Sequence, residues 1–461
     1  MEKKVKEFYE KPAIVKHSLG QMNRFGRVSS ATPHTAIDGV SVRELIEQYG
    51  SPLWVLSEAT LRRKYREFYR AFSLRYPKVV IAYSYKTNYL SGVCAVLHQE
   101  GAWAEVVSGF EYTIAEALGI PGPRIVFNGP HKTEEQLLTA IERGSRINVD
   151  SYEEIYLLEE LAKGRDKPVE VGVRVNMSLG YPPWTRFGFH LESGQALEAC
   201  QRIISSPVLR LVGLHAHLGT FLTDTGLYKQ AAEKLVSLCY LLQEQPGVKL
   251  EYLDVGGGYA SRNTLHYQYL PSEQLCPTFD QYAEAICPAL LRGPFRGTDT
   301  PMLILEPGRS LVDEAMYLLT SVVSNKRLAS GEKGVVVDAG VNLLPTSYWF
   351  RHEIQAAQEV GSPETGSVTE PVNIYGPLCM QIDVLQIGTN LPSLRRGDIL
   401  VIKNVGAYNF SQSMQFIQPR PAVVLVNEGE TEYLRLPETS EYLRQLEKVP
   451  ERLLKREGSP V

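Results

Sequence analysis

A (β/α)8 TIM-like barrel followed by a separate β-sandwich or β-barrel domain is the fold the sequence predicts, and three observations predict it. The chain has 461 residues, too long for one ordinary domain and long enough for a barrel of roughly 250 residues with a partner domain. From about Lys78 to Glu306 one pattern recurs eight times: a short β-branched or apolar run, a polar or glycine residue, then a longer amphipathic stretch. That is the alternation of βα units. After about Asn325 the helical periodicity fades, and short β-type runs separated by Gly, Pro and Asn turns take over.

The expected division is therefore 1–51 as an N-terminal segment packing on the β domain, 52–325 as the barrel, and 326–461 as the β domain with a terminal helix or tail. The barrel runs are Val79-Ala82, Trp103-Val107, Arg124-Phe127, Arg146-Val149, Glu170-Val175, Leu211-Leu214, Tyr252-Val255 and Met302-Leu305. Between them helical stretches carry start signals, such as Ser151 ahead of Tyr152-Lys163 with Glu154 three residues on, which predicts a capping box. Lys86, Ser108, Asn128, Asp150, Asn176, His215, His217, Gly256-Gly258 and Glu306 fall at or just past strand ends. In a barrel such residues converge on one rim, where active sites sit. The later β runs include Gly334-Asp338, Asp398-Ile402 and Ala422-Val426, with Gln358-Glu370 expected as an exposed loop and the charged tail from Glu438 as a helix or frayed end.

Composition narrows the function classes. With 44% hydrophobic and 22% charged residues and a net charge of -4, nothing calls for nucleic acid, and a small-molecule substrate is expected. Met1 to Lys16 alternates Lys and Glu without a signal-peptide core, and no later run approaches the ~18 apolar residues of a membrane span. A cytoplasmic location and no membrane partner are the expectation. The six cysteines (Cys94, Cys200, Cys239, Cys276, Cys287, Cys379) show no Cys-x-x-Cys spacing, so neither zinc nor a disulfide framework is expected.

Five motifs carry chemistry. Lys86, in Tyr83-Ser84-Tyr85-Lys86-Thr87-Asn88, directly follows a strand and sits among aromatic residues. Partial desolvation there would lower its pKa and free the amine to attack an aldehyde, whereas a lone rim lysine more often snorkels to solvent. Gly256-Gly257-Gly258 after a strand would let backbone amides approach a phosphate, or form a tight turn with no ligand. In Glu306-Pro307-Gly308-Arg309 the glutamate could keep a pyridine nitrogen protonated and the arginine could pair with phosphate or carboxylate; the plainer alternative is a Glu-Arg pair closing the loop. His215 and His217 have strand spacing and so share a side. No third metal ligand is evident, so no metal is expected, and an imidazole stacked on a ring accounts for one of them. Cys379, on the Gly376-Pro377-Leu378 turn, could donate a proton or be an inert thiol.

Taken in chain order, Tyr-Lys-Thr-Asn at Lys86, His-x-His-Leu-Gly-Thr at His215, Gly-Gly-Gly-Tyr at Gly256, Glu-Pro-Gly-Arg at Glu306, Gly-Pro-Leu-Cys at Cys379 and Gly-Ala-Tyr at Tyr408 resemble the fold-type III pyridoxal-phosphate decarboxylases, closest to diaminopimelate decarboxylase-like enzymes and more distantly to those acting on ornithine and arginine. The likeness spans about Pro52 to Val426. It implies pyridoxal 5'-phosphate carried covalently by Lys86, with His217 on the pyridine ring and Glu306 at its nitrogen. Gly256, Gly257, Gly258, Arg309 and Tyr408 would hold the phosphate, with Glu105, Thr220 and Gly308 nearby. Cys379 would come from the partner subunit of a homodimer to protonate the carbanion, and Arg309, Met380, Tyr408 and Arg351 would surround the substrate. By analogy, a glutamate at the ring nitrogen, where alanine racemases use arginine, favours decarboxylation over racemisation.

Two departures bear on the substrate. The family's cysteine is followed by a glutamate in diaminopimelate decarboxylases, and here by Met380. The arginine-proline pair of the related strand is also missing, since this chain reads Asp338-Ala339-Gly340-Val341-Asn342-Leu343-Leu344-Pro345. Unpaired substrate charge against apolar walls loses selectivity. The sequence therefore leads to the expectation that meso-diaminopimelate is not preferred, and that a modified or carrier-protein-linked amino acid is, with Arg351 or His352 as new contacts. The alternatives are diaminopimelate decarboxylase itself, an amino-acid racemase, and a non-catalytic regulatory homologue.

Overall fold

All eight runs form parallel strands that close on themselves in a computed structural model of the chain, which describes residues 33–454 apart from 181–183, 246, 269 and 358–368. The strands are Val79–Ser84, Trp103–Val106, Ile125–Phe127, Arg146–Val149, Val169–Asn176, Leu209–His215, Tyr252–Asp254 and Met302–Leu305. Each pairs in parallel with the next, and Met302–Leu305 pairs with Val79–Ser84 to complete the ring. Ala82, Val126, Val212, Tyr252 and Ile304 fill its interior. The Tyr252 ring lies across this space because two neighbouring strands offer glycine: a side chain at Gly213 would strike the ring, and one at Gly172 would strike its hydroxyl and Asn148.

Caps set the helices where the sequence signals them. Thr133 forms a capping box with Gln136 at the start of Glu134–Arg143, and Thr278 does so with Gln281 at the start of Phe279–Leu290. Ser151 caps Tyr152–Ala162 by accepting from the N–H of Glu154, but the expected reciprocal bond is replaced. The Glu154 carboxylate turns instead to the N–H of Asp150 at 2.8 Å and to the buried ammonium of Lys132 at 2.6 Å. The buried ammonium draws the carboxylate away from the Ser151 amide. None of the described helices is long and apolar enough to cross a membrane.

The second domain is built on a mixed sheet in the order Val384–Pro392, Thr369–Tyr375, Lys333–Val337, Met316–Arg327, Leu53–Ser57, Val423–Asn427, Glu430–Arg435, with Ile399–Ile402 also on Met316–Arg327. Two of these strands lie in the stretch read from sequence as barrel. Leu53–Ser57 joins the second sheet between Met316–Arg327 and Val423–Asn427, and Met316–Arg327 begins that sheet ten residues before the expected boundary. Both are apolar runs, and period alone does not say which sheet receives them. Ile37, Val42 and Leu45 pack with Leu53, Val55, Leu319, Val401 and Val424, so the N-terminal residues from 33 onward sit on this domain; residues 1–32 lie outside the described residues. Of the Gln358-Glu370 loop only the last two residues are described, at the start of Thr369–Tyr375. The described part of the tail from Glu438 holds a short α-helix, Ser440–Arg444, and a 3-10 turn, Glu451–Leu453.

Candidate active site

Strand ends bring most of the sequence-selected residues to one mouth of the barrel. Lys86 stands in a short turn just after Val79–Ser84, and its Nζ donates to Oε2 of Glu105 at 2.7 Å. Glu105 is 1% exposed, and the same carboxylate accepts from the Ser84 hydroxyl at 2.5 Å. The sequence led to the expectation of a lowered lysine pKa. Burial does push the Lys86 amine down, but Glu105, Tyr408 and Glu306 outweigh it and hold the amine above its ordinary value.

Glu306, at the end of the last barrel strand, accepts from Nδ2 of Asn128 at 2.5 Å. It lies 3.4 Å from Nε2 of His215. Burial pushes its carboxyl up, yet His215, Lys86 and Asp254 together hold it well below the usual carboxylate range. Asp254 is displaced upward by its own burial and by Glu306, so the proton of this pair belongs on Asp254. The sequence showed no third metal ligand beside the histidine pair. The structure supplies two for His215, since His215, Asp254 and Glu306 have ligating atoms within 4.8 Å of one another, the one such group among the described residues. His217 is turned differently, accepting from the N–H of Gly257 at its Nδ1, 3.2 Å away. Burial first, then Lys86 and Arg174, keep it neutral. The Trp184 ring lies 5.6 Å from it.

Beside this acid cluster the glycine turn is open for a reason. Gly256 and Gly258 have φ of +67° and +92°, which other residues rarely adopt. A side chain at Gly257 would run into the carbonyl oxygen of Glu306, and one at Gly258 would approach that of Gly219 at 2.5 Å. Arg309, three residues after Glu306, has Nε and Nη1 buried and without hydrogen-bond partners. Its guanidinium is held by the rings of Phe350 at 4.9 Å, Tyr408 at 5.0 Å and Phe221 at 5.7 Å, and lies 3.8 Å from Asp313. Tyr408 reaches in from the second domain in a left-handed conformation, φ +62°, fixed by its N–H on the carbonyl of Thr87 at 2.9 Å. Gly308 presses on Thr87 so closely that no side chain fits.

An amine held by a carboxylate, a second carboxylate placed for a ring N–H, an imidazole, a side-chain-free turn and a cation with unused donors fit pyridoxal phosphate in every part. Unused buried donors are costly, and a phosphate would satisfy those of Arg309. Other expected residues stay apart. Thr220 is exposed on the loop after His217, Cys379 is exposed on the second domain, and Met380 is half-buried beside it. Arg351 follows Phe350 on a short strand paired with Thr264–Leu265 and makes no ion pair among the described residues. His352 is not available as a new contact: it is buried, its Nε2 is bonded to Thr346 at 2.8 Å and its Nδ1 to the Lys403 carbonyl at 3.3 Å. Sequence reasoning missed Phe221, Phe350 and Asp313, and it placed Asn128 on the rim without a role. Phe221 adjoins the His-x-His-Leu-Gly-Thr motif; the others have no local signal.

Comparison with known proteins agrees with this geometry. Residues 58–313 match the family model for the pyridoxal-dependent decarboxylase, pyridoxal binding domain. Diaminopimelate decarboxylase of Methanothermobacter thermautotrophicus is 34% identical over 438 residues, covering 92% of this chain and 97% of the relative. That of Bacillus subtilis is 32% identical, covering 94% and 97%. The crystal structure of the M. jannaschii diaminopimelate decarboxylase in complex with L-lysine superposes with a TM-score of 0.81 at 31% identity, over 91% of this chain and 97% of that one. With a matched cofactor domain, full-length relatives and a rim that fits the cofactor, the chain belongs to the pyridoxal-dependent decarboxylase family and is a pyridoxal-phosphate enzyme that decarboxylates an amino acid.

Proposed function

We propose that Lys86 is the covalent anchor of the cofactor, that Gly256, Gly257 and Gly258 with Arg309 and Tyr408 hold its phosphate, and that Glu306 receives the ring N–H beneath His217. The observation that carries this reading is that Asn128 joins Glu105, the partner of Lys86, to Glu306 at one rim. Pyridoxal phosphate, when bound, supplies the electron sink for the pair left behind as carbon dioxide departs. Glu306, kept ionised, would hold the proton on the ring nitrogen. Glu105 holds the proton at Nζ of Lys86, and neutral His217 would lie against the ring without adding charge. Loss of the cofactor's visible absorbance in Lys86→Ala, with the fold retained by circular dichroism, is the expected result; retained absorbance refutes the anchor.

The amino acid is proposed to be meso-diaminopimelate. Full-length relatives named for that activity support it, and they rank it ahead of the carrier-linked amino acid that Met380 and Leu344 led the sequence to favour. A second reading, an amino acid with a different distal group, keeps one specific support: Met380 offers no carboxylate after Cys379, and Leu344 is fully buried where a cation would be needed. Carbon dioxide release from meso-diaminopimelate, lysine, ornithine and arginine by the purified holoenzyme decides between them. The first reading requires meso-diaminopimelate to be turned over best, and no release from it alone among active substrates would establish the second.

Cys379 is proposed to serve the site of a second copy. It is exposed, and Ile382, Met414, Phe416 and Ile417 on the same domain are exposed apolar residues of the kind an interface covers. Both cysteine and lysine are then needed, but in different copies. Mixing equal amounts of Lys86→Ala and Cys379→Ala should restore about a quarter of the native sites, since half of randomly mixed dimers carry one intact pair. No recovery after verified subunit exchange would show that each site is built within one chain.

A further inference from the structure

A buried polar side chain is costly unless paired, so a run of them inside a barrel demands a reason. One such run begins on the interior ring of Tyr252. Its hydroxyl donates to Oδ1 of Asn148 at 2.7 Å, Nδ2 of Asn148 donates to Oδ1 of Asn128 at 2.8 Å, and Nδ2 of Asn128 donates to Glu105 at 3.1 Å and to Glu306 at 2.5 Å. Asn128, Asn148 and Tyr252 are 3%, 1% and 1% exposed. Space for the run is made at the expense of two strand side chains, because Gly172 and Gly213 leave room that any larger residue would fill.

The direction of every bond in this ladder is fixed. The two carboxylates at its upper end only accept, so Asn128 must turn its amide nitrogen to them. Its carbonyl must then face Asn148, whose own carbonyl is left for the Tyr252 hydroxyl. A flip of Asn128 would set its carbonyl oxygen against the carboxylates, and a flip of Asn148 would set its carbonyl against that of Asn128. Hydrogen bonds that run in one direction also polarise one another in a low-dielectric interior. Asn128 therefore presents N–H to Glu105 and Glu306 at once and favours the ionised form of Glu306.

We infer that Tyr252, Asn148 and Asn128 are positioning residues which hold Glu105 at Lys86 and Glu306 at the ring nitrogen in one fixed arrangement, so that the proton between Glu306 and the cofactor stays on the ring. The other groups around Glu306 act in the same sense: His215 lies 3.4 Å away, and Asp254 carries the proton of the acid pair. The inference rests on the assignment of Glu306 to the ring nitrogen. It is independent of which amino acid is decarboxylated.

The ring nitrogen itself gives the test. Holoenzyme reconstituted with ring-15N pyridoxal phosphate, without substrate, should show a protonated-pyridine resonance. In Asn128→Leu, which keeps the branched outline in a somewhat larger side chain and removes the donor, that resonance should move toward the neutral-pyridine position. Its kcat should fall by at least about tenfold to a hundredfold, the loss expected for the hydrogen bond to Glu306 alone, with KM within about twofold. Tyr252→Phe, which removes one oxygen far from the cofactor, should shift the resonance the same way by less. A resonance unchanged in Asn128→Leu, whatever the fall in Tm, would overturn the inference and reduce the ladder to packing. Should that variant fail to fold, an unchanged resonance in Tyr252→Phe overturns it instead. A neutral ring in the wild-type holoenzyme would count against the role of Glu306, which separates the two failures.

Discussion

Asp313 gives a prediction whose sign and size both come from the structure. Its carboxyl is 1% exposed and accepts from the Ser261 hydroxyl, from Nδ2 of Asn263 at 2.8 Å and from the N–H of Ala407 at 3.1 Å. It thereby ties the loop after the glycine turn and the Gly406-Ala407-Tyr408 segment to the helix that carries Arg309. Burial pushes its pKa up to about 6, against the pull of Arg309. In the unfolded chain an aspartate titrates near ~3.9, so the folded protein holds this proton more tightly across roughly two pH units. The stability due to that proton is fully present below about pH 4 and is lost as the pH rises through 6. Two units at 1.36 kcal/mol each make this about 3 kcal/mol. Asp313→Asn keeps the shape and cannot titrate. Urea unfolding of the cofactor-free protein should show the variant gaining on the wild type by about 2–3 kcal/mol between pH 4 and pH 7, whatever their offset at pH 4. A gap that stays flat within about 0.5 kcal/mol, or that moves the other way, would refute the claim that the ionised clasp is held against its burial.

Two further outcomes follow from the rim. The Lys86–Glu105 pair buries the carboxylate but leaves 33% of the lysine side chain exposed. Solvent screening then limits its coupling to about 1–2 kcal/mol in a double-mutant cycle of Lys86→Met and Glu105→Gln on the cofactor-free protein, and additive effects would show that the two do not pair. Arg309→Met removes the unused Nε and Nη1 donors; cofactor Kd by equilibrium dialysis should weaken by about 10- to 150-fold, the equivalent of ~1.5–3 kcal/mol for hydrogen bonds to a charged group. An unchanged Kd would remove Arg309 from the phosphate site.

The barrel was legible because parallel strands buried on both faces read as short β-branched runs, and because the polar residue ending each run is placed on the rim by topology alone. Lys86, Glu306 and the glycine turn could be named for the same reason. What sequence did not disclose are relations across strands. Asn148 is a polar residue inside the strand Arg146–Val149, which signals that a partner must exist but not that the partner is Tyr252, 104 residues away. The raised rather than lowered Lys86 amine depends on Glu105 reaching it from the neighbouring strand. His352 looked free as a sequence neighbour of Arg351, yet a β domain edge buries it with both nitrogens bonded.

The strand Leu53–Ser57 passes straight into the helix Glu58–Ser73, which lies on the barrel with Phe68 5.0 Å from the Tyr259 ring. The chain thus leaves the second sheet at one end of the barrel and rejoins it, at Met316–Arg327, beside the strand it left. Neither half is an excisable cassette. Cutting before Glu58 removes an inner strand from the second sheet and strips the pairing edges of Met316–Arg327 and Val423–Asn427, a surface prone to aggregation. Exchange of β domains between relatives therefore needs two matched seams rather than one. Tyr408 and Lys86, the proposed anchor, lie on opposite sides of those seams and would have to be carried over together.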